Sequence, residues 1–335
     1  MKIGLIGHGY WGRNLARVFH ELGALHALCD ASPEALDSAK ERYPGIRLES
    51  DPFALLNDPE VQAVALATSA ESHYRLGRAV LDAGKDLFVE KPLALRASEA
   101  EKLVALAESR SQVLMVGHLL RYHPGILKLK ELCTSGVLGR IEYVYSHRLN
   151  LGKVRREENA LWSFAPHDVS VLLHLFEMMP LQVSAVGGTY LQPNIADVSV
   201  SNLLFDGGAR AHIFVSWLHP FKEQKLVVVG SKRMAVFDDL QPEHKLMIYD
   251  KNIEFVNGNF LTQRPEGVPV KVEMREPLRN ECEHFLDCVR TRSTPWSDGA
   301  EGLRVLLVLQ ACQKSLQLNG EPVEVGGVIK DVLYA

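Results

Sequence analysis

Lys2-Ile3-Gly4-Leu5-Ile6-Gly7-His8-Gly9-Tyr10-Trp11-Gly12 opens the chain with a short apolar run that ends in G-x-G-x-x-G. The run reads as a strand, and Gly12 to Leu22 carries a helical pattern. Between a strand and a helix each glycine acquires a task. Gly7 permits the tight turn, Gly9 lets a pyrophosphate approach the backbone, and Gly12 lets helix and strand pack closely. The helix start offers N–H groups and a positive dipole end to phosphate. Gly7, Gly9, Tyr10, Trp11 and Gly12 are therefore candidate cofactor contacts. A second strand, at Leu25–Cys29, ends in Asp30, 18 residues after Gly12. A carboxylate there accepts bonds from the ribose hydroxyl of NAD and repels the extra phosphate of NADP, and no Arg follows to bind that phosphate. NAD is the expected cofactor.

Working outward, strands and helices alternate. Ser32-Pro33 and Asp51-Pro52 each pair an N-cap with Pro at the first helical position. Ser98-Glu99-Ala100-Glu101 reads as a capping box. Apolar runs at Val61–Ala67, Leu87–Val89 and Gln112–Val116 suit strands of a parallel sheet buried on both faces. These features predict an α/β Rossmann domain, a doubly wound parallel sheet, over residues 1–120. After about residue 125 the rhythm changes. A helix at Gly125–Leu132, strands at Ile141–His147 and a helix from about His167 to Phe176 lead into strand-like segments between Gln182 and Tyr249. Helices at about Pro277–Arg290 and Ala300–Leu316 close the chain. Residues 121–335 are expected to form an α+β domain with a largely antiparallel open sheet.

Composition bounds the function. The 335 residues, 47% of them hydrophobic, suit two domains. A net charge of −4 provides no global positive field for nucleic acid. No apolar run approaches the ~20 residues that span a bilayer, and the glycine-broken N-terminus does not read as a signal peptide. Five scattered cysteines without a CxxC point to free thiols and a cytoplasmic location. No His/Cys/Glu set has ligand spacing, so no metal is expected.

Two clusters carry candidate chemistry. Glu90-Lys91-Pro92 ends a predicted parallel strand, the edge at which doubly wound sheets bind ligands. Pro92 restricts Lys91 to extended conformations, and the ammonium can donate to a substrate hydroxyl; from position alone a solvated surface pair is an equal reading. Arg148, Lys153, Arg155 and Arg156 gather before Trp162 and His167. Guanidinium groups bind phosphate oxygens in pairs, so the cluster suits a diphosphate-bearing substrate. The competing reading is a solvated loop paired to Glu157 and Glu158. Trp217 to Lys222 follows a strand and either meets the substrate from the sheet side or puts Trp217 in the core.

Gly7–Gly12, Ala67-Thr68 with His73-Tyr74, Ala83-Gly84-Lys85 running into Glu90-Lys91-Pro92, and Gly117-His118 with Arg121-Tyr122-His123-Pro124 together resemble the glucose-fructose oxidoreductase, inositol dehydrogenase and rhizopine catabolism (Gfo/Idh/MocA) family. The resemblance spans essentially the whole chain. It implies an NAD-dependent dehydrogenase acting on a secondary alcohol of a sugar or cyclitol. Thr68, His73, Glu90 and Lys91 are then placed at the cofactor, and Arg121, Tyr122, Trp162, Asp168, Trp217 and Lys222 join the basic cluster at the substrate. The family's Asp-x-Gly-x-His segment is here Ser163-Phe164-Ala165-Pro166-His167. His167 falls on the catalytic histidine, and Ser163 and Pro166 depart from the pattern. Lys91 and His167 are the expected catalytic pair, with Asp168 as an orienter. Imidazole suits the proton that a hydroxyl loses on oxidation, and a cationic Lys suits alkoxide character.

Residues 155–168 and 217–232 are similar to a nucleotide-sugar branch of the family. That similarity implies oxidation of the C3 hydroxyl of UDP-N-acetylglucosamine. The product would feed a PLP aminotransferase that makes a 3-amino sugar for lipid A and lipopolysaccharide. It also implies a homodimer or homotetramer formed through the C-terminal sheet. The alternatives are UDP-N-acetylglucosaminuronate as substrate, a free cyclitol or sugar, and a non-catalytic NAD-binding regulator.

Overall fold

The computed structural model describes residues 1–152, 154–251 and 253–327. The chain divides into two units, Met1–Tyr122 with Arg275–Leu306, and His123–Met274 with the residues from Leu307 onward. The first crossing falls after Tyr122, and the return of Arg275–Leu306 to the first unit follows from how the segment packs.

The first unit starts as β1 (Ile3–Ile6), α1 (Gly12–Glu21), β2 (Leu25–Cys29), α2 (Pro33–Arg42), β3 (Arg47–Glu49), α3 (Pro52–Leu56), β4 (Ala63–Leu66), α4 (Ala70–Asp82), β5 (Asp86–Glu90), α5 (Ala97–Ser109) and β6 (Leu114–Gly117). The strands form one parallel sheet in the order β3-β2-β1-β4-β5-β6, the doubly wound dinucleotide-binding order. β1 and β4 are buried along their whole length. The Ser32 hydroxyl accepts from Ala35 N–H at 3.2 Å and the Asp51 carboxylate from Phe53 N–H at 3.0 Å, as the cap signals predict. The capping box at Ser98 does not form. α5 begins one residue earlier, and Arg96, which precedes it, pairs with Glu99 at 2.7 Å. With Ala97 as the first helical residue, Ser98 already lies inside the first turn and cannot act as the cap that Glu101 would answer.

The second unit holds α6 (Pro124–Thr134), β7 (Ile141–Leu149), α7 (Ala160–Phe176), β8 (Gln182–Gly188), β9 (Val198–Leu204), β10 (Arg210–Ser216), β11 (Glu223–Gly230), β12 (Arg233–Asp238), β13 (Leu246–Asp250), β14 (Ile253–Val256), β15 (Asn259–Thr262) and β16 (Val268–Pro269). With a last strand, β17 (Val323–Glu324), they build a nine-stranded sheet, β16-β13-β12-β11-β7-β10-β9-β8-β17, and a separate β14–β15 hairpin. Its pairs are antiparallel except β10 on β7. α7 lies against β10, β7 and β9.

Two further helices follow β16, α8 (Pro277–Thr291) and α9 (Gly299–Gln317), and the division between units falls inside α9. α8 buries Leu278, Cys282, Phe285, Cys288 and Val289 in the core that also holds Leu15, Phe19 and Phe88. Phe285 meets Phe88 of β5 edge-on, with ring centroids 5.6 Å apart. The i, i+4, i+7 spacing of its apolar face is what draws this late segment into the first unit.

Candidate active site

The nucleotide loop explains two of its three glycines internally. Gly7 has φ +99°, and a Cβ there would lie 2.6 Å from the Ala67 carbonyl oxygen; a Cβ on Gly12 would lie 2.1 Å from that of Gly7. Gly9 has no such reason, because a Cβ on it meets nothing within 4 Å among the described residues. Open space over an exposed loop glycine at a helix start is what a diphosphate needs. Asp30 sits beside it. Its Oδ2 accepts from His8 N–H at 2.5 Å and its Oδ1 from Ser32 N–H at 2.8 Å. A carboxylate offers about four acceptor sites, so capacity is left for ribose hydroxyls. The residues present fit NAD. Tyr10 is almost fully exposed, and Trp11 turns inward so that its Nε1–H donates to the Glu90 carboxyl.

Glu90 ends β5, and Lys91 and Pro92 follow it through a cis peptide. Burial pushes the Glu90 carboxyl up to about 7, against the Trp11 bond and the Lys91 charge. His73, on α4, has Nδ1 2.7 Å from the Pro92 carbonyl and Nε2 3.2 Å from that of Thr68. It is buried and burial lowers its pKa. The neutral ring carries one N–H and donates to one carbonyl at a time. His73 thus ties the ends of β4 and β5 together. Thr68 Oγ1 shares a hydrogen bond of 2.6 Å with Ser72 Oγ.

Arg121 and Tyr122, expected at the substrate, are used inside the first unit. Arg121 is mostly buried, with Nη1 3.4 Å from Glu301 and Nη2 donating to the Trp296 carbonyl at 3.0 Å. Tyr122 is fully buried, its hydroxyl 3.1 Å from both His284 Nδ1 and Ser297 Oγ. Both side chains have found partners that α8, α9 and the turn between them supply. His118, buried next to them, is pushed down to about 3 by burial and by the Arg121 and Lys91 charges.

In the second unit His167 lies in the middle of α7, not at its start. Asn159 caps the helix eight residues earlier, accepting from Trp162 N–H at 3.2 Å. Ala160 to Ala165 are good helix residues behind a strong cap, and Pro166 is tolerated inside the helix. Pro166 has no N–H to give to the Trp162 carbonyl, four residues back. His167 is partly buried. Trp162 Nε1–H donates to Gln313 Oε1 at 3.0 Å, and Gln313 also accepts from Asn159 at 2.8 Å.

The basic cluster separates. Arg148 forks onto Asp168, with Nε to Oδ2 at 2.8 Å and Nη2 to Oδ1 at 3.0 Å, and Ser146 Oγ donates to the same Oδ1 at 2.6 Å. Asp168 is 2% exposed. Burial pulls the Arg148 guanidinium down and the Asp168 carboxylate more than offsets it. Arg148 and Asp168, expected at the substrate, are each the other's partner. Arg155 is exposed and pairs with Glu158 at 3.1 Å, Arg156 is exposed, and Lys153 lies outside the described residues. Trp217 is fully buried and donates to Asp197 Oδ1 at 2.6 Å, so it is core and not a substrate contact. Lys222 is exposed.

One group among the described residues has metal-ligand spacing, His26, Asp58 and Glu60. Arg47 already pairs with Asp58 at 2.8 Å and Lys2 with Glu60. The cluster is an ion-pair network.

A dinucleotide loop on a doubly wound sheet, carried with a largely antiparallel open sheet, defines a class, the two-part NAD-dependent oxidoreductases. The chain belongs to the GFO/IDH/MocA oxidoreductase family: residues 1–118 match its NAD-binding Rossmann fold and residues 126–236 its C-terminal domain. It is 28% identical to the UDP-N-acetylglucosamine 3-dehydrogenase of Acidithiobacillus ferrooxidans, over 91% of this chain and 94% of that enzyme. A solved structure of that enzyme covers 95% of this chain and 98% of its own, with a TM-score of 0.84 at 26% identity. An uncharacterized oxidoreductase of Escherichia coli K12 is 33% identical over 82% of each chain. The inositol 2-dehydrogenase of Paracoccus denitrificans is 26% identical over 100% of this chain and 99% of that enzyme.

Proposed function

We propose that this protein oxidises the C3 hydroxyl of a UDP-N-acetyl sugar, UDP-N-acetylglucosamine, with NAD. The observation that carries the reading is the match to an enzyme of that activity along nearly its whole length, covering both units. NAD, when bound, supplies the acceptor for hydride. The loop at Gly9 and the helix start behind it receive the diphosphate, and Asp30 receives ribose hydroxyls. Lys91 donates to the substrate hydroxyl and stabilises alkoxide character with its charge. His167 takes the hydroxyl proton, as the side chain most often used for general base catalysis. Arg155, Arg156 and Lys222, all exposed, are the remaining basic candidates for the substrate's phosphates.

The same reading places the protein in the cytoplasm, where its five free cysteines persist, before a PLP aminotransferase on the route to a 3-amino sugar of lipid A. It makes the chain a homodimer or homotetramer. Tyr143, Tyr145 and His147 of β7 alternate onto one sheet face, where Tyr145 stacks on His212 at 5.3 Å. A row of rings on a sheet face suits a second copy.

A second reading, a free polyol as substrate, is favoured by the full-length inositol dehydrogenase match and by the engagement of Arg148 with Asp168. Turnover decides between them. Purified protein with NAD and UDP-N-acetylglucosamine, coupled to removal of the ketone, is expected to form NADH; myo-inositol turnover without UDP-sugar binding overturns the proposal. Lys91→Ala is expected to lower kcat by about 10²–10⁴-fold, and full activity in that variant overturns the mechanism.

A further inference from the structure

Two carboxyls, Glu281 fully buried and Glu90 partly so, lie behind the nucleotide loop, and the reaction outlined above uses neither. Phe88 and Glu90 project from the same face of β5, two residues apart. Glu281 and Phe285 project from the same face of α8, four residues apart. The Phe88–Phe285 contact joins those two faces, and the Glu90 charge raises the Glu281 carboxyl.

The two acids are not equivalent. Glu281 is 0% exposed, and neither of its carboxyl oxygens has a hydrogen-bond partner among the described residues. An ionised carboxylate buried without a donor costs far more than a protonated one. Glu90 has a donor in Trp11 Nε1–H and a cation in Lys91. It also has room made for it: Gly117 is its register partner on β6, and a Cβ there would lie 2.9 Å from the Glu90 carboxyl. Negative charge therefore settles on Glu90 and the last proton on Glu281.

We propose that Glu281 is a positioning residue for the NAD site: its proton lets Glu90 carry a single buried charge and so hold Trp11, and with it the nucleotide loop, in place. The proposal rests on NAD binding and is independent of the sugar.

The surroundings leave Glu281 little other help. α8 itself brings Glu276, Cys282, Glu283 and His284; α1 brings Arg17, which is engaged by Glu276 and Glu21; the turn after β6 brings Arg121 and Tyr122. Burial raises Glu281 well above the usual carboxylate range, and the Glu90 charge raises it further. The sign follows. Both acids are raised on folding, so their stabilising protons are lost as pH climbs. On the alkaline side a second negative charge then appears under a loop that must accept a diphosphate.

Two measurements test this. Infrared spectra at about pH 8 are expected to show a protonated carboxyl band that Glu281→Gln removes; its absence from the wild type overturns the proposal. NADH affinity, followed by energy transfer from tryptophan, is expected to weaken about tenfold or more from about pH 7 to about pH 9.5. In Glu281→Gln, which keeps a neutral donor, the change stays within about twofold. The same slope in both proteins overturns it. Should Glu281→Gln not fold, the wild type still decides, because a carboxyl band that NADH binding leaves unmoved overturns the proposal as well.

Discussion

At the scale of single residues, the glycine loop separates binding from folding. Gly12 is enclosed by backbone and Gly9 faces open space. Gly9→Val is expected to leave thermal stability within about 0.5 kcal/mol of wild type while weakening NADH affinity about tenfold or more, the outcome of a side chain standing where phosphate must sit. Gly12→Ala is expected to lower stability by about 1–3 kcal/mol, since a Cβ must push backbone aside. Calorimetry and an NADH titration on both variants check the pair, and equal stability loss in the two would remove the assignment of Gly9 to phosphate. These glycines were legible because spacing reports backbone constraint directly. Arg148, Tyr122 and Trp217 are less legible for the opposite reason. Guanidinium and aromatic side chains serve ligands and cores equally well. What separates the two uses is a partner far along the chain, Asp168, His284 or Asp197, which no local spacing announces.

At the scale of elements, β7 and α7 are locked by one buried ion pair. Ser146 and Arg148 lie two residues apart on β7, on the face opposite Tyr145, and both reach Asp168 on α7. Breaking such a pair from one side strands a buried charge, which costs about 3–5 kcal/mol. Asp168→Asn is expected to lose that much stability, measured by denaturant melts. Arg148→Met combined with Asp168→Leu is expected to lose less than the single variants added together, because neither charge is then stranded. Additive losses would show that the pair is not a unit. The helix holding Asp168 also shows where boundaries escape a local reading. Pro166 is ordinarily a sign of a helix start, yet α7 begins six residues before it, at Ala160. The Asn159 cap and the apolar Ala160 to Ala165 run outweigh one missing hydrogen bond. Consequently His167 has a full turn of helix on each side, a stiffer mounting than a helix terminus offers.

At the scale of the whole molecule, the alternation of strands and helices disclosed both folds, yet it could not disclose that the first is completed from the far end of the chain. Periodicity shows that α8 has an apolar face; it does not show which core that face enters. The answer lies in shape complementarity, Phe285 against Phe88 and Cys282 among Phe19 and Leu15, and the same return delivers Glu281 to Glu90. The consequence is measurable. Five largely buried apolar or thiol side chains of α8 belong to the first unit's core, and at about 1.5–3 kcal/mol for each large one they contribute on the order of 10 kcal/mol. That is comparable to the ~5–15 kcal/mol by which a whole domain is stable. A fragment ending at Tyr122 is therefore expected to show no cooperative thermal unfolding and no NADH binding, although it contains the entire glycine loop, Asp30 and Lys91. Joining residues 275–306 to it through a flexible linker is expected to restore both. If the shorter fragment melts cooperatively and binds NADH as well as the longer one, α8 is an accessory to a self-sufficient domain, and the acid pair it completes cannot be needed for the cofactor.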